Sequence, residues 1–184
     1  ASNSNGTAVS LLGTVNLTLG TGNGTISGAS ISNIGLVIDG ATLNVNVASG
    51  SSLNLNGTSS TLIGLNLNNS IVALNEKGSL NFNGKTTSSI SANYGLKIAN
   101  TVSIIANQGN VTLTGSASYL YGIFVSGVFN TTIAQNSTLT LNGTTSGSYG
   151  VYMRYADVSL NNGGTLNVIG NSTAATGVGI YSNG

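Results

Sequence analysis

The chain has 184 residues, enough for one domain, with a net charge of +1 and only 4% charged residues, and it has no cysteine, histidine, proline or tryptophan. This excludes a disulfide framework, imidazole or thiol chemistry, and an electrostatic footprint for nucleic acid or an anionic membrane. Apolar residues make up 40% and are regularly spread, so the chain is not of the disordered class, but it can bury a core only if those positions all turn to one side.

Residues 1–23, with Val15-Asn-Leu17-Thr-Leu19, read as the tail of a preceding coil. Thereafter two glycines recur as a pair. The first coil carries Gly28 and Gly35, then Leu36-Val-Ile38 and Leu43-Asn-Val45. In the second, Leu53-Asn-Leu55-Asn-Gly57 leads to Gly64, Leu65-Asn-Leu67 and Val72-Ala-Leu74. The third has Leu80-Asn-Phe82-Asn-Gly84, then Gly95 after four extra residues assigned to a loop, Leu96-Lys-Ile98 and Val102-Ser-Ile104. Val111-Thr-Leu113-Thr-Gly115, Gly122 and Ile123-Phe-Val125 open the fourth, whose last strand, Thr131-Thr-Ile133, is weak and open in register. Leu139-Thr-Leu141-Asn-Gly143, Gly150, Val151-Tyr-Met153 and Val158-Ser-Leu160 form the fifth. The sixth has Leu166-Asn-Val168-Ile-Gly170, Gly177 and Val178-Gly-Ile180, and the sequence stops at Gly184 before a third strand.

Period-2 alternation marks strands with one buried face. The first glycines lie 29, 27, 31, 28 and 27 residues apart, so the expected fold is all-β: a right-handed parallel β-helix, or β-solenoid. It has three strands per coil, about 28 residues per coil, six recognisable coils and partial coils at the ends. Residues 1–184 form a single solenoid segment, expected to be a fragment of a longer repeat domain, with 1–23 its partial preceding coil. Any signal peptide is expected to lie outside the sequence, and no apolar run reaches the ~18 residues of a transmembrane helix. Propeller blades need four antiparallel strands in about 40 residues, and a sandwich would not keep one register through six copies. The paired glycines are expected to supply positive φ at turns, and strand-end asparagines to ladder between rungs.

Catalysis by this segment is not expected. The only acids are Asp39, Glu76 and Asp157. Asp39 and Asp157 fall four coils apart, about 19 Å at one strand spacing per rung, beyond the ~10 Å that two glycosidase carboxyls span. Glu76 beside Lys77 reads as a solvated pair. Neither a metal nor a cofactor is expected, since the ligand types are missing.

Function is sought on the outer face. Its first-strand positions, from Thr25 and Ser27 to Asn167 and Ile169, make a flat, neutral wall of amides and hydroxyls. Seven of the ten aromatics lie between Tyr119 and Tyr155. Phe124 and Tyr152 take the outward middle position of consecutive second strands and should stack. Tyr94, Tyr121 and Tyr149 form a column directly before the second glycine. With Arg154 and Tyr155 these residues make the candidate ligand-binding patch, a platform for sugar rings or a protein partner. The plainer reading has the tyrosine column packing a corner, with only Phe124 and Tyr152 outside. Asn-x-Ser/Thr sequons occur at Asn5, Asn16, Asn23, Asn56, Asn68, Asn110, Asn130, Asn136, Asn142 and Asn171. About seven would arise by composition alone, so they mark possible glycosylation without establishing it.

Runs such as Asn110-Val-Thr-Leu-Thr-Gly-Ser-Ala-Ser, followed by Tyr121-Gly-Ile-Phe-Val, resemble repeats of large Gram-negative exoproteins. These are the filamentous-haemagglutinin-like and high-molecular-weight adhesins of two-partner secretion; autotransporter passenger domains are similar. The resemblance spans the chain and implies a stalk presenting adhesive surfaces, some members carrying sugar at Asn-x-Ser/Thr. No functional residue of the family carries over, because the repeats have no motif beyond the rung. The expected function is therefore a structural and adhesive stalk segment of a secreted or surface-exposed bacterial adhesin, outer-membrane associated and serving virulence. Its expected partners are host-cell or bacterial surface glycans and proteins, and neighbouring coils of the full-length chain. The alternative is a glycan-binding module on the aromatic patch; a polysaccharide-cleaving enzyme is third.

Overall fold

The computed structural model describes residues 1–3, 5–89, 93–161 and 163–183, without the side chains of residues 3 and 155–161. Strands account for 69% of the chain, with no helix among the described residues. In chain order they are β1 (Ser2–Asn3), β2 (Val9–Leu19), β3 (Asn23–Ser30), β4 (Leu36–Val47), β5 (Ser52–Ser59) and β6 (Ile63–Asn68). There follow β7 (Ile71–Leu74), β8 (Ser79–Thr86), β9 (Tyr94–Ala99), β10 (Val102–Ala106) and β11 (Asn110–Ala117). The last are β12 (Tyr121–Ile133), β13 (Thr138–Thr145), β14 (Tyr149–Asn161), β15 (Thr165–Ser172) and β16 (Val178–Asn183).

All pairings are parallel and join copies one coil apart, giving a solenoid of about six turns. One wall is a seven-stranded sheet, β1-β3-β5-β8-β11-β13-β15. Its glycines are strictly in register: Gly28 beside Gly57, then Gly84, Gly115, Gly143 and Gly170. The second and third segments of each coil share the other sheet, because β2, β4, β12 and β14 run through the bend between them. The bend is one left-handed residue, at Gly13, Gly40, Asn69, Asn100 and Gly127 with φ from 44° to 110°, a conformation only glycine and asparagine adopt readily. A second left-handed column, Gly22, Gly50, Gly109, Asn136 and Gly163, turns the chain into the next coil's first strand.

The paired glycines do something else. None of them has positive φ, which corrects the turn role expected of them. They allow backbone to lie on backbone. A Cβ on Gly57 would sit 2.1 Å from the Gly64 carbonyl oxygen, one on Gly115 2.0 Å from that of Gly122, and one on Gly143 2.0 Å from that of Gly150. In the last coil the partner of Gly170 is Gly179, at 1.9 Å, and not Gly177. Ile180 therefore stands beside Val151 and Tyr181 beside Tyr152, with Val178 beside Tyr149. The sequence spacing misled here because two extra residues enter that corner, while the backbone contact accepts only a glycine.

Each coil is thus a wedge. Along β5 the inward residues run Leu53, Leu55, Gly57, Ser59, from bulky to bare to small. The wide end holds the core, in which Leu43, Leu55, Leu67, Leu74, Phe82 and Phe129 are fully buried. At the thin end buried hydroxyls tie down the corner: Leu62 N–H donates to Ser59 Oγ (2.9 Å), Gly147 N–H to Thr145 Oγ1 (3.0 Å) and Asn33 N–H to Ser30 Oγ (3.1 Å). These bonds satisfy backbone donors that a sharp turn strands from the sheet. In the fourth coil the weak third segment is placed by Phe129, which lies beside Val102, with Thr131 beside Ile104 and Ile133 beside Ala106. Of the insertion before Gly95, residues 90–92 lie outside the described residues.

The two glycine classes should respond differently to substitution. Gly115→Ala should lower unfolding free energy by about 3 kcal/mol, since the added methyl meets backbone. Gly40→Asn, at a left-handed position with open space, should cost under about 0.5 kcal/mol. Equilibrium urea denaturation of the two variants checks both.

Candidate functional site

The aromatic patch sits on the outer face of the second segments. Within β9, Gly95 and Leu96 are both buried, so the outward residues on either side, Tyr94 and Lys97, are three apart and their columns lie close together. Register stacks Tyr94, Tyr121, Tyr149 and Val178 in one column and Lys97, Phe124, Tyr152 and Tyr181 in the next. A third column holds Ala99, Ser126, Arg154 and Asn183.

The rings of the first two columns interleave into one seam. Tyr94 stacks on Tyr121 (5.5 Å between centroids) and on Phe124 (4.8 Å). Phe124 stacks on Tyr152 (5.5 Å), as the sequence spacing predicts, and Tyr149 on Tyr152 (5.1 Å). Tyr121 meets Tyr149 at 5.5 Å and Tyr152 edge-on at 4.8 Å. Tyr181 extends the seam, 5.0 Å from Tyr149 and 5.4 Å from Tyr152. Sequence reasoning missed Tyr181 because it phased the last coil on Gly177; the Gly170–Gly179 contact is what brings it in. Lys97 Nζ lies 5.7 Å from the Tyr94 centroid, a cation–π contact. One rung before Lys97, Asn66 Oδ1 is buried without a hydrogen bond, a polar cost the wall carries.

Two expectations change. The tyrosine column does not pack a separate corner; it shares the wall with Phe124 and Tyr152. And Phe124, expected as an open platform, is only 8% exposed, covered by the tyrosines around it. Ring faces are turned on one another along the solenoid axis, which leaves mainly edges and hydroxyls to solvent; Tyr181 is 38% exposed. Tyr119 is exposed but makes no ring contact with the seam, and Phe129 is core. The side chain of Tyr155 lies outside the described residues.

Burial raises the Tyr94 hydroxyl pKa above its ordinary 10.0, against the opposing charge of Arg154. Tyr121 is raised too, by burial first and then by Tyr152, Tyr94 and Tyr149, again with Arg154 pulling down. Desolvation outweighs the guanidinium in both cases.

The opposite wall is polar and bonded to itself. Asn81 Nδ2 donates to Asn54 Oδ1 (3.1 Å) and Asn83 Nδ2 to Asn56 Oδ1 (2.8 Å). On the other sheet Asn44 donates to Asn16 (2.9 Å), and at its bends and corners Asn100 donates to Asn68 (2.7 Å) and Asn107 to Asn75 (3.0 Å). Several sequon asparagines, Asn16, Asn56 and Asn68 among them, are therefore rungs of amide ladders. Asn23 accepts from Ser52 Oγ (2.8 Å) and Asn110 from Thr138 N–H (3.1 Å). Asn136 stands exposed at a left-handed corner, and Asn5 and Asn171 are exposed; Asn130 and Asn142 are half-buried in strands.

Asp39 accepts from Asn68 Nδ2 (2.7 Å). Its rung neighbours run through Asn68, Ala99 and Ser126, while Asp157 pairs with Val128. Their backbones are thus four rungs, about 19 Å, apart. Among the described residues no three His, Cys, Asp or Glu side chains cluster, and no helix is long and apolar enough to cross a membrane. No protein-family model matches the chain, and neither does any curated protein or solved structure.

The raised tyrosines give a pH dependence with a definite sign. A group whose pKa is higher folded than unfolded contributes stability that is complete below the unfolded value and lost as pH rises through the folded value. Stability should therefore fall as pH climbs past 10, and Tyr94→Phe/Tyr121→Phe should flatten that fall. Urea midpoints between pH 9 and 11.5, with tyrosinate absorbance followed alongside, measure it.

Proposed function

We propose that this solenoid is a stalk segment of a secreted or surface-exposed bacterial adhesin, of the filamentous-haemagglutinin-like or high-molecular-weight kind. It holds neighbouring coils in line and attaches through its repetitive walls to glycans or proteins on host or bacterial surfaces. The observation that carries this reading is the bonding of outer-wall side chains to their own copies, amide to amide and ring to ring, along the axis. Such walls stiffen a rod and present one chemistry over a long surface. The texture of the repeats supports the family, and a sparsely charged coat without cysteine suits an extracellular, outer-membrane-associated place. On this reading the segment is not an enzyme, its acids being spread over four rungs.

A second reading, a glycan-binding module on the seam, is favoured by its row of tyrosine hydroxyls and by the Arg154 charge felt at Tyr94 and Tyr121. Against it, sugar stacking needs an open ring face, and these faces are largely spent on each other.

Beads coated with the protein and washed over epithelial and bacterial cells separate the readings. The stalk reading expects retention above uncoated beads, and Tyr149→Ala/Tyr152→Ala should change it less than about twofold, since many weak contacts share the load. A loss beyond about tenfold, as expected when a hot spot is removed, would favour the module. No retention on any surface sinks the adhesive claim.

A further inference from the structure

One notch, at residues 107–109, interrupts the row of corners that lead from third segments into the next first strand. Ala106 and Asn110 sit beside Ile133 and Thr138, and on the other side beside Leu74 and Ser79. The corner at 107–109 is therefore one residue shorter than those at 75–78 and 134–137. It is drawn in against the previous rung: Gly109 is left-handed (φ 79°), and a Cβ there would meet the Gly78 carbonyl oxygen at 2.2 Å. The longer corners stand up on either side of a half-open recess of about 480 Å³, a volume within the ~300–1,000 Å³ of small-ligand sites.

Its lining is unusual for this chain. Polar residues elsewhere are almost all short, yet both glutamines in the sequence, Gln108 and Gln135, line this recess, with Lys77 and Asn136. Glu76, next to Lys77, does not line it. The wall asparagines bond one another from rung to rung. By contrast, the amides of Gln108 and Gln135 and the ammonium of Lys77 have no hydrogen-bond partner among the described residues. A solenoid corner needs no long polar side chain to turn. Here two exposed amides and one exposed cation line a single recess that also takes in the backbone of Gly109.

We propose that the notch binds a carboxylate-bearing sugar, a hexuronate unit of an acidic polysaccharide. Amides both donate and accept, which matches neighbouring hydroxyls, and Lys77 supplies the charge-assisted bond to the carboxylate. Backbone at Gly109 lets the ring approach closely. The site is separate from the aromatic seam and does not depend on the adhesive reading.

The test is titration of the whole chain with trigalacturonate and with its methyl ester, followed by NMR shifts or calorimetry at fixed salt. The acid should bind about tenfold more tightly than the ester, one charge-assisted bond's worth. Lys77→Gln should erase that difference, and Gln108→Ser/Gln135→Ser should weaken both ligands by about tenfold or more, with thermal unfolding unchanged. Tyr152→Ser should leave binding as it was. The proposal is overturned if neither sugar binds at millimolar concentration, or if binding survives the Lys77 and glutamine changes intact.

Discussion

The structure depends on one contact: two stretches of bare backbone, one from each sheet, lying against each other in every coil. The separations a Cβ would face there, 1.9–2.1 Å from Gly57, Gly84, Gly115, Gly143 and Gly170, leave no room for any side chain. That is a steric rule, not a preference. Repeated at one point of each rung, it clamps the first strand to the second and sets where the strands can slide. In a fold whose strands are otherwise interchangeable runs of Leu, Val, Asn and Thr, something must oppose register slips, which are weakly resisted in polar, repetitive strands.

From that clamp the rest follows. Because the two sheets touch at the glycines, they diverge beyond them, and the leucines, valines and phenylalanines fill the opening. Because every rung repeats the same phase, like residues stand over like on the outside. The result is amide ladders along both sheets and, on the outer face of the second segments, a seam of six rings. Aromatic pairs of this kind add about 0.5–1.5 kcal/mol each beyond their burial, so the seam stiffens four successive rungs. It serves the rod first. One place where the repeat departs from regularity, the corner shortened at Gly109, leaves Lys77, Gln108 and Gln135 lining a recess, and the proposed ligand site lies there.

Much of the fold is legible in the sequence, and for physical reasons. Alternation in Leu53-Asn-Leu55 or Val111-Thr-Leu113 shows directly which residues face in, and the recurrence of Gly-x6-Gly fixes the coil length. The meaning of those glycines is not legible. Positive φ and close approach leave the same letter, and here Gly40 and Gly50 are of the first kind, Gly57 and Gly64 of the second, and Gly109 of both. Asn69 and Asn100, standing where other coils have Gly13, Gly40 and Gly127, carry the clue to the turn column. The last coil failed by counting: spacing chose Gly177 over Gly179, and Tyr181 was lost from the seam. The stacking of Phe124 on Tyr152 needed only the repeat. Its burial did not, since it depends on how far tyrosines from the neighbouring column lean across. The notch was invisible because it arises from a difference of one residue between consecutive corners, which emerges only once register is known.

The central claim, that glycine contact and not uniform spacing sets the register, is most directly tested across the irregular third coil. Asn83 lies beside Thr114, 31 residues on, and Lys97 beside Phe124, 27 residues on. In this cysteine-free chain, oxidation of Asn83→Cys/Thr114→Cys and of Lys97→Cys/Phe124→Cys should each yield the cross-linked monomer, their Cα atoms being one strand spacing apart and within disulfide reach. A chain in which Asn83→Cys instead cross-links to Val111→Cys, as an even 28-residue period would place it, would contradict the account.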